Sequence, residues 1–173
     1  SNLNTSSVSN MRYMFYDCIK LESIDISKFD TSSLNNIESM FNSCSNLKSI
    51  TLPNFNKSSI TNMAYTFNNC EKLESLDLTN FITSAVSNMS NMFSNCKALE
   101  SMDLSHFDTS KVIDMSYMFS NCTSLIYLDL STFNTSSVKY MKYMFYGNKE
   151  LLFLDISNFD MKNAFSEGGS TIS

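Results

Sequence analysis

The chain has 173 residues, 43% of them apolar and 17% charged, which fits a single globular or repeat domain and excludes a disordered chain. No run approaches the ~18 apolar residues of a membrane span, so direct membrane insertion of this segment is not expected. Twelve Lys and Arg against 17 Asp and Glu leave a net charge of −5, and the basic residues are scattered, which argues against nucleic acid as a partner.

In chain order the first signal is one of phase. Ser1-Asn2-Leu3-Asn4-Thr5-Ser6-Ser7-Val8 aligns with Ser27-Lys28-Phe29-Asp30-Thr31-Ser32-Ser33-Leu34, so the sequence is expected to start in mid-repeat, as a piece of a longer array. Cys18, Cys44, Cys70, Cys96 and Cys122 then recur at one constant interval. Phe15, Phe41, Phe67, Phe93, Phe119 and Phe145 keep the same step, as do the column from Phe29 to Phe159 and the column from Leu21 to Leu151. Such a period predicts a solenoid, in which each unit buries its apolar side only against its neighbours. About six units fill residues 1–160, and residues 161–173, which become Ser/Gly-rich, are expected to form a C-terminal cap or linker tail.

Within a unit, Met102 and Leu104 alternate with Ser101, Asp103 and Ser105, the period of a short strand. Val112, Met115, Met118, Phe119 and Cys122 follow at an amphipathic helical spacing, with Thr109 or Ser110 as the N-cap. The expected fold class is therefore an α/β repeat solenoid, leucine-rich-repeat-like, with short parallel strands on one face and short helices or turns on the other. With only 3 Gly and 1 Pro, the turns must rely on Ser, Thr, Asn and Asp side chains that bond to nearby backbone.

The unit Met118-Phe119, Cys122, Leu125, Leu128-Asp129-Leu130-Ser131 and Phe133 resembles the BspA-like leucine-rich repeat of bacterial surface proteins and the similar arrays of mycoplasma surface lipoproteins and protist surface proteins. The resemblance runs through nearly the whole chain. It implies a right-handed leucine-rich solenoid, a cell-surface or secreted location, and adhesion to protein ligands such as host matrix or cell-surface proteins.

His106 is the chain's single histidine and lies beside Asp103, Ser105 and Asp108, which invites a hydrolase reading. Its column reads Lys28, Asn54, Asn80, Thr132 and Asn158 in the other units, a freely varying surface position. No enzymatic activity is expected. The cysteines lack close Cys-x-x-Cys pairs, so neither metal nor cofactor is expected, and they are read as reduced apolar filler. Met11, Met14, Met89, Met92, Met115, Met118, Met141 and Met144 are assigned to the core.

Two features are candidate binding residues. Asp25, Asp77, Asp103, Asp129 and Asp155 form an outward column broken only by Thr51, open to three readings: a solvated face, an acidic contact surface, or a cation ladder. The strand columns, polar through Glu22-Ser23, Lys48-Ser49, Glu74-Ser75 and Glu100-Ser101, turn apolar at Ile126-Tyr127 and Leu152-Phe153. Tyr140, Tyr143 and Tyr146 thicken the same end, and Asn148 replaces the expected cysteine. This end reads either as a cap or as a partner-binding patch. With the adhesion that the resemblance implies, the expectation is an interaction module, an adhesin segment binding through the concave sheet face at Asp77, Asp103, Asp129, Asp155, Ile126, Tyr127, Leu152 and Phe153. The rival is a passive structural spacer.

Overall fold

Among the described residues, every strand and bridge pairing between units is parallel and joins a residue to its own counterpart one repeat onward. In the computed structural model, which describes residues 3–160 and Lys162, β1 (Ser23–Asp25) pairs with β2 (Ser49–Thr51), and β3 (Tyr127–Asp129) pairs with β4 (Phe153–Asp155). A second ladder of isolated bridges passes unbroken through Asn10, Asn36, Asn62, Asn88, Asp114 and Tyr140. That ladder divides the chain into units 10–35, 36–61, 62–87, 88–113, 114–139 and 140–160. Each unit is the crossover that a parallel pairing requires. The strands expected around Leu76 and Met102 do not form: the third and fourth units keep only the bridge from Ser101 to Tyr127.

The helix expected from Val112 to Cys122 is also absent, and the described residues hold no helix at all. Alternate N–H groups there leave the unit: Met115 donates to the Tyr140 carbonyl, Tyr117 to Lys142, Phe119 to Met144 and Asn121 to Tyr146, at 2.6–3.0 Å. The groups between them close turns, Met118 onto Met115 and Ser120 onto Tyr117. Tyr117 and Asn121 have φ of +59° and +56°, the left-handed geometry that the third residue of a type II turn requires and a helix forbids. A run of such turns returns to the inward side at residues 115, 118, 119 and 122, so it imitates helical spacing. Thr109 is no N-cap either. Its buried hydroxyl donates to the Asn134 carbonyl at 3.0 Å and accepts the Asn134 N–H at 2.8 Å. Thr83 and Thr135 make the same two-way link one unit onward, to Asp108 and Asp160.

The core is a set of columns, each stacked on its own kind. Phe15, Phe41, Phe67, Phe93, Phe119 and Phe145 form one continuous stack, with ring centroids 5.2–6.2 Å apart and planes within 12° of parallel. Parallel offset rings contribute ~0.5–1.5 kcal/mol per pair beyond the area they bury. Leu47, Leu73, Leu99 and Leu125 are fully buried beside them, while Leu21 and Leu151 at the two ends are half-buried. Of the methionines assigned to the core, Met14 is a correction. It is 41% exposed, because the first described unit has no neighbour on that side to cover it.

Leu104 is buried in the fourth unit and His106, two residues on, is exposed. Leu104→Ala is expected to cost ~2–5 kcal/mol in a urea titration, through lost burial and a cavity. His106→Ala is expected to change the midpoint little. Equal losses would refute the assignment of inward and outward columns.

Candidate interaction surface

The outward face is shaped first by aspartate and asparagine. In each unit an Asx side chain accepts the N–H of the residue two positions on, a local turn that these short acceptors favour. The strand column does so at Asp25, Asp77, Asp103, Asp129 and Asp155, whose Oδ1 atoms take the N–H groups of Ser27, Thr79, Ser105, Ser131 and Ser157 at 2.8–3.0 Å. The gap at Thr51 now has a reason. Two residues on stands Pro53, which has no N–H to donate, and the turn that follows the aspartate in the other units does not form there. Each carboxylate of the column is thus already used by its own backbone. Equivalent bonds hold Asn10, Asn36, Asn62, Asn88 and Asp114 along the other ladder.

The carboxylates face outward. Hydrogen bonds from the Thr79, Ser105 and Ser157 side chains and backbone hold Asp77, Asp103 and Asp155 below the usual aspartate range, and the Ser27 backbone does the same for Asp25. Asp77 and Asp103 are exposed; Asp129 and Asp155 are half-buried and lie opposite each other in the register of β3 and β4. Lys48 pairs with Glu22 at 2.9 Å, and none of Glu74, Glu100, Asp77 and Asp103 has an ion-pair partner among the described residues. Where the strand ladder lapses, clefts open between units. One of about 350 Å³ is lined by Met102, Asp103, Ser105, Tyr127 and Asp129, and a neighbouring one of about 500 Å³ by Glu74, Leu76, Glu100 and Asp103.

The apolar strip predicted at the C-terminal end is present. Ile126, Tyr127, Leu152 and Phe153 are 42%, 46%, 86% and 43% exposed, and the rings of Tyr127 and Phe153 stack at 4.5 Å with planes 5° apart. Register alone produces this stack, since Tyr127 stands directly opposite Phe153. Tyr140, Tyr143 and Tyr146 belong to the same unit as Leu152 and Phe153 but line the other ladder, where Tyr140 pairs with Asp114. Asn148 takes the cysteine's place and accepts the Cys122 N–H at 2.8 Å. The tail assigned to residues 161–173 falls, but for Lys162, outside the described residues.

His106 contacts the backbone of the preceding unit. Its Nε2 lies 2.7 Å from the Leu78 carbonyl, a contact that needs the proton on that nitrogen, while Ser105 gives its N–H to Asp103. The cysteines are all free. Cys44, Cys70, Cys96 and Cys122 are buried, and their thiols donate to the carbonyls of Phe15, Phe41, Phe67 and Phe93 in the preceding unit at 3.0–3.2 Å. Burial pushes the Cys44 thiol up to about 11 and Cys122 to about 12, and raises Cys70 and Cys96 as well. A second surface escaped the sequence reading: Tyr13, Tyr16 and Tyr65 are exposed along the turn edge and line a cleft of about 310 Å³ with Glu38, Ser39 and Asn42. The recurrence of Tyr13 and Tyr65 in one column was visible in the sequence; the backbone geometry that makes it unusual was not.

A chain whose core and turn residues recur at a fixed interval and bond to their counterparts in the next unit is a repeat protein. Residues 1–81 and 61–168 match the family described as Mycoplasma protein of unknown function, DUF285, and the chain belongs to that family. Comparison with curated proteins and with solved structures gave no match. Among the described residues no helix is long and apolar enough to cross a membrane.

Two solution measurements check this chemistry. Because the thiolate is the reactive form, a small alkylating reagent should modify half-buried Cys18 in the native chain, and all five cysteines only after unfolding. Fewer than five in non-reducing denaturant would mean disulfides. Asp25, Asp77, Asp103 and Asp155 titrate lower in the folded chain than the ordinary 3.8, so the stability they contribute is complete above that value and is lost as pH falls through their folded values. The urea midpoint should therefore hold from neutral pH down to about 5 and drop below about 4. A midpoint that rises on acidification would show that repulsion along the column outweighs the turns.

Proposed function

We propose that the chain is a leucine-rich-repeat-like solenoid of the BspA-like kind, with turns in place of helices, that acts at a cell surface or in secreted form as an adhesin segment. In this reading the strand face binds a protein ligand, such as a host matrix or cell-surface protein, through Ile126, Tyr127, Leu152 and Phe153, with Asp77, Asp103, Asp129 and Asp155 as an acidic rim. The observation that carries it is the exposed Tyr127–Phe153 stack, flanked by a leucine that is 86% exposed. Aromatic anchors surrounded by polar residues are the composition of energetically central contact sites. The earlier units place serine in the same column at Ser23, Ser49, Ser75 and Ser101, so the stack of units does not itself demand rings there. A binding role rather than catalysis is supported by His106, whose ring nitrogen faces the Leu78 carbonyl and not a serine hydroxyl.

One observation favours a second reading, a passive spacer that projects another domain. The strand-face aspartates are all engaged in turns of their own backbone, so their recurrence needs no ligand.

Tyr127→Ser combined with Phe153→Ser separates the two. If the strip binds, attachment of the labelled chain to cultured host cells should weaken by ~2 kcal/mol or more, about thirtyfold, while the thermal midpoint holds. A double variant that stays folded and adheres as well as its parent would leave the spacer reading ahead. A fall in stability instead would assign the strip to capping.

A further inference from the structure

The ring stack on the strand face ends at Tyr127. One face of its ring lies against Phe153, and among the described residues no ring covers the other. That second face is turned toward the preceding unit, where the register sets Ser101 opposite. A serine is too short to cover a phenol ring, and the space beside it is the cleft of about 350 Å³ that Tyr127 lines with Ser101, Met102, Asp103, Asp129 and Thr132. The cleft stays open because the strand ladder does not continue across it: one bridge joins Ser101 to Tyr127, whereas β3 and β4 pair over three residues.

Carboxylates flank this open ring. Asp129 is two residues from Tyr127 in β3, so both side chains leave the same side of the strand. Asp103 is its counterpart one unit back and lines the same cleft. The Oδ1 atoms of the two accept the Ser105 and Ser131 N–H groups, which uses one of the roughly four lone-pair sites of each carboxylate and leaves capacity at the second oxygen. Neither has an ion-pair partner among the described residues, and the adjoining cleft adds Glu74 and Glu100, likewise without one. In a chain of net charge −5, this part of the strand face is complementary to a cation.

The ring decides which cation. A calcium ion takes about six to eight oxygen ligands and would leave the aromatic face unused. An ammonium group is a compact point charge. A guanidinium is flat, stacks on an aromatic face and forks to carboxylate oxygens, so it engages the ring and both acids together. It would occupy the place above Ser101 that a third ring of the column would fill.

We propose that this cleft is an arginine pocket, which takes the guanidinium of an arginine on a partner protein, stacked on the open face of Tyr127 and paired with Asp103 and Asp129. The proposal rests on the strand face being the binding surface, and it names the residue type that this surface selects.

The test is calorimetric titration of the 173-residue chain with acetyl-hexaarginine amide and, separately, acetyl-hexalysine amide, at ~0.15 M sodium chloride. Equal charge in the two peptides removes the general attraction of an acidic chain from the comparison. Saturable binding is expected, with hexaarginine tighter by about fivefold or more. Tyr127→Ser, the residue that Ser101 supplies one unit back, should bring the two affinities together while the thermal midpoint holds. If that variant fails to fold, Tyr127→Leu, which keeps apolar bulk without a ring face, should do the same. Asp103→Asn with Asp129→Asn should weaken hexaarginine by about tenfold or more. The turns should survive that change, since Asn36, Asn62 and Asn88 accept the equivalent backbone bond in the same chain.

Equal affinity of the parent for the two peptides, an unchanged ratio in a folded Tyr127 variant, or undiminished binding by the asparagine variant would each overturn the proposal. So would displacement of hexaarginine by calcium chloride but not by sodium chloride of the same ionic strength, which would assign the carboxylates to a metal ion. Host-cell attachment lost with Tyr127→Ser and Phe153→Ser but kept with Asp103→Asn and Asp129→Asn would overturn the arginine pocket and leave the adhesive strip standing. Arginine-selective binding by a chain that attaches to no host cell would support the pocket and sink the adhesin reading alone.

Discussion

The constant register between successive units is the constraint on which everything else depends. With parallel in-register stacking, a side chain meets chiefly its own counterpart one unit away, so every inward column must be able to pack or bond with itself. Phenylalanine does so by offset stacking, threonine by a hydroxyl that both donates to and accepts from one backbone residue, and cysteine by donating its thiol to the preceding unit's carbonyl. Each residue type was selected less for its individual properties than for its behaviour in a ladder. The backbone obeys the same rule, since alternate N–H groups of each turn run are satisfied only by the next unit.

Like charges are the hard case for such a rule, because an aspartate column stacks repulsion as readily as it stacks packing. The chain resolves this by giving every carboxylate a local donor, so that the charge is held by the N–H two residues on and left in water. The pairing of Thr51 with Pro53 supports the assignment. The one unit that cannot supply the donor is also the one that does without the acid. Ion pairs across units, Arg12 with Glu38 and Lys97 with Glu71, lie at the surface and contribute little by comparison.

Departures from the column pattern are where the surface acquires character. Serine gives way to Tyr127 and Phe153 on the strand face, and tyrosine replaces small residues at left-handed positions on the turn edge. Neither is required by the stack, which tolerates Ser and Asn at the same places. In a structure whose interior is nearly invariant from unit to unit, residues that break the pattern outward carry the information that distinguishes one surface patch from another.

The sequence by itself determined the period, the inward columns and the outward course of Asp77, Asp103, Ile126, Tyr127, Leu152 and Phe153, because a column repeated through six units overrides the ambiguity of any single segment. It did not determine the local conformation between Val112 and Cys122. Inward residues at the same spacing serve a helix or a run of turns equally, and the difference lies in whether an N–H bonds within its own unit or to the next, which is a tertiary choice. The strand lapse at Leu76 and Met102 was hidden for a related reason, since alternation describes which way side chains face and not whether neighbouring backbones come close enough to pair. The strained tyrosines were equally out of reach, because the sign of φ at Tyr13, Tyr65, Tyr117 and Tyr143 is imposed by the stacked turns around them and leaves no mark in the residue itself.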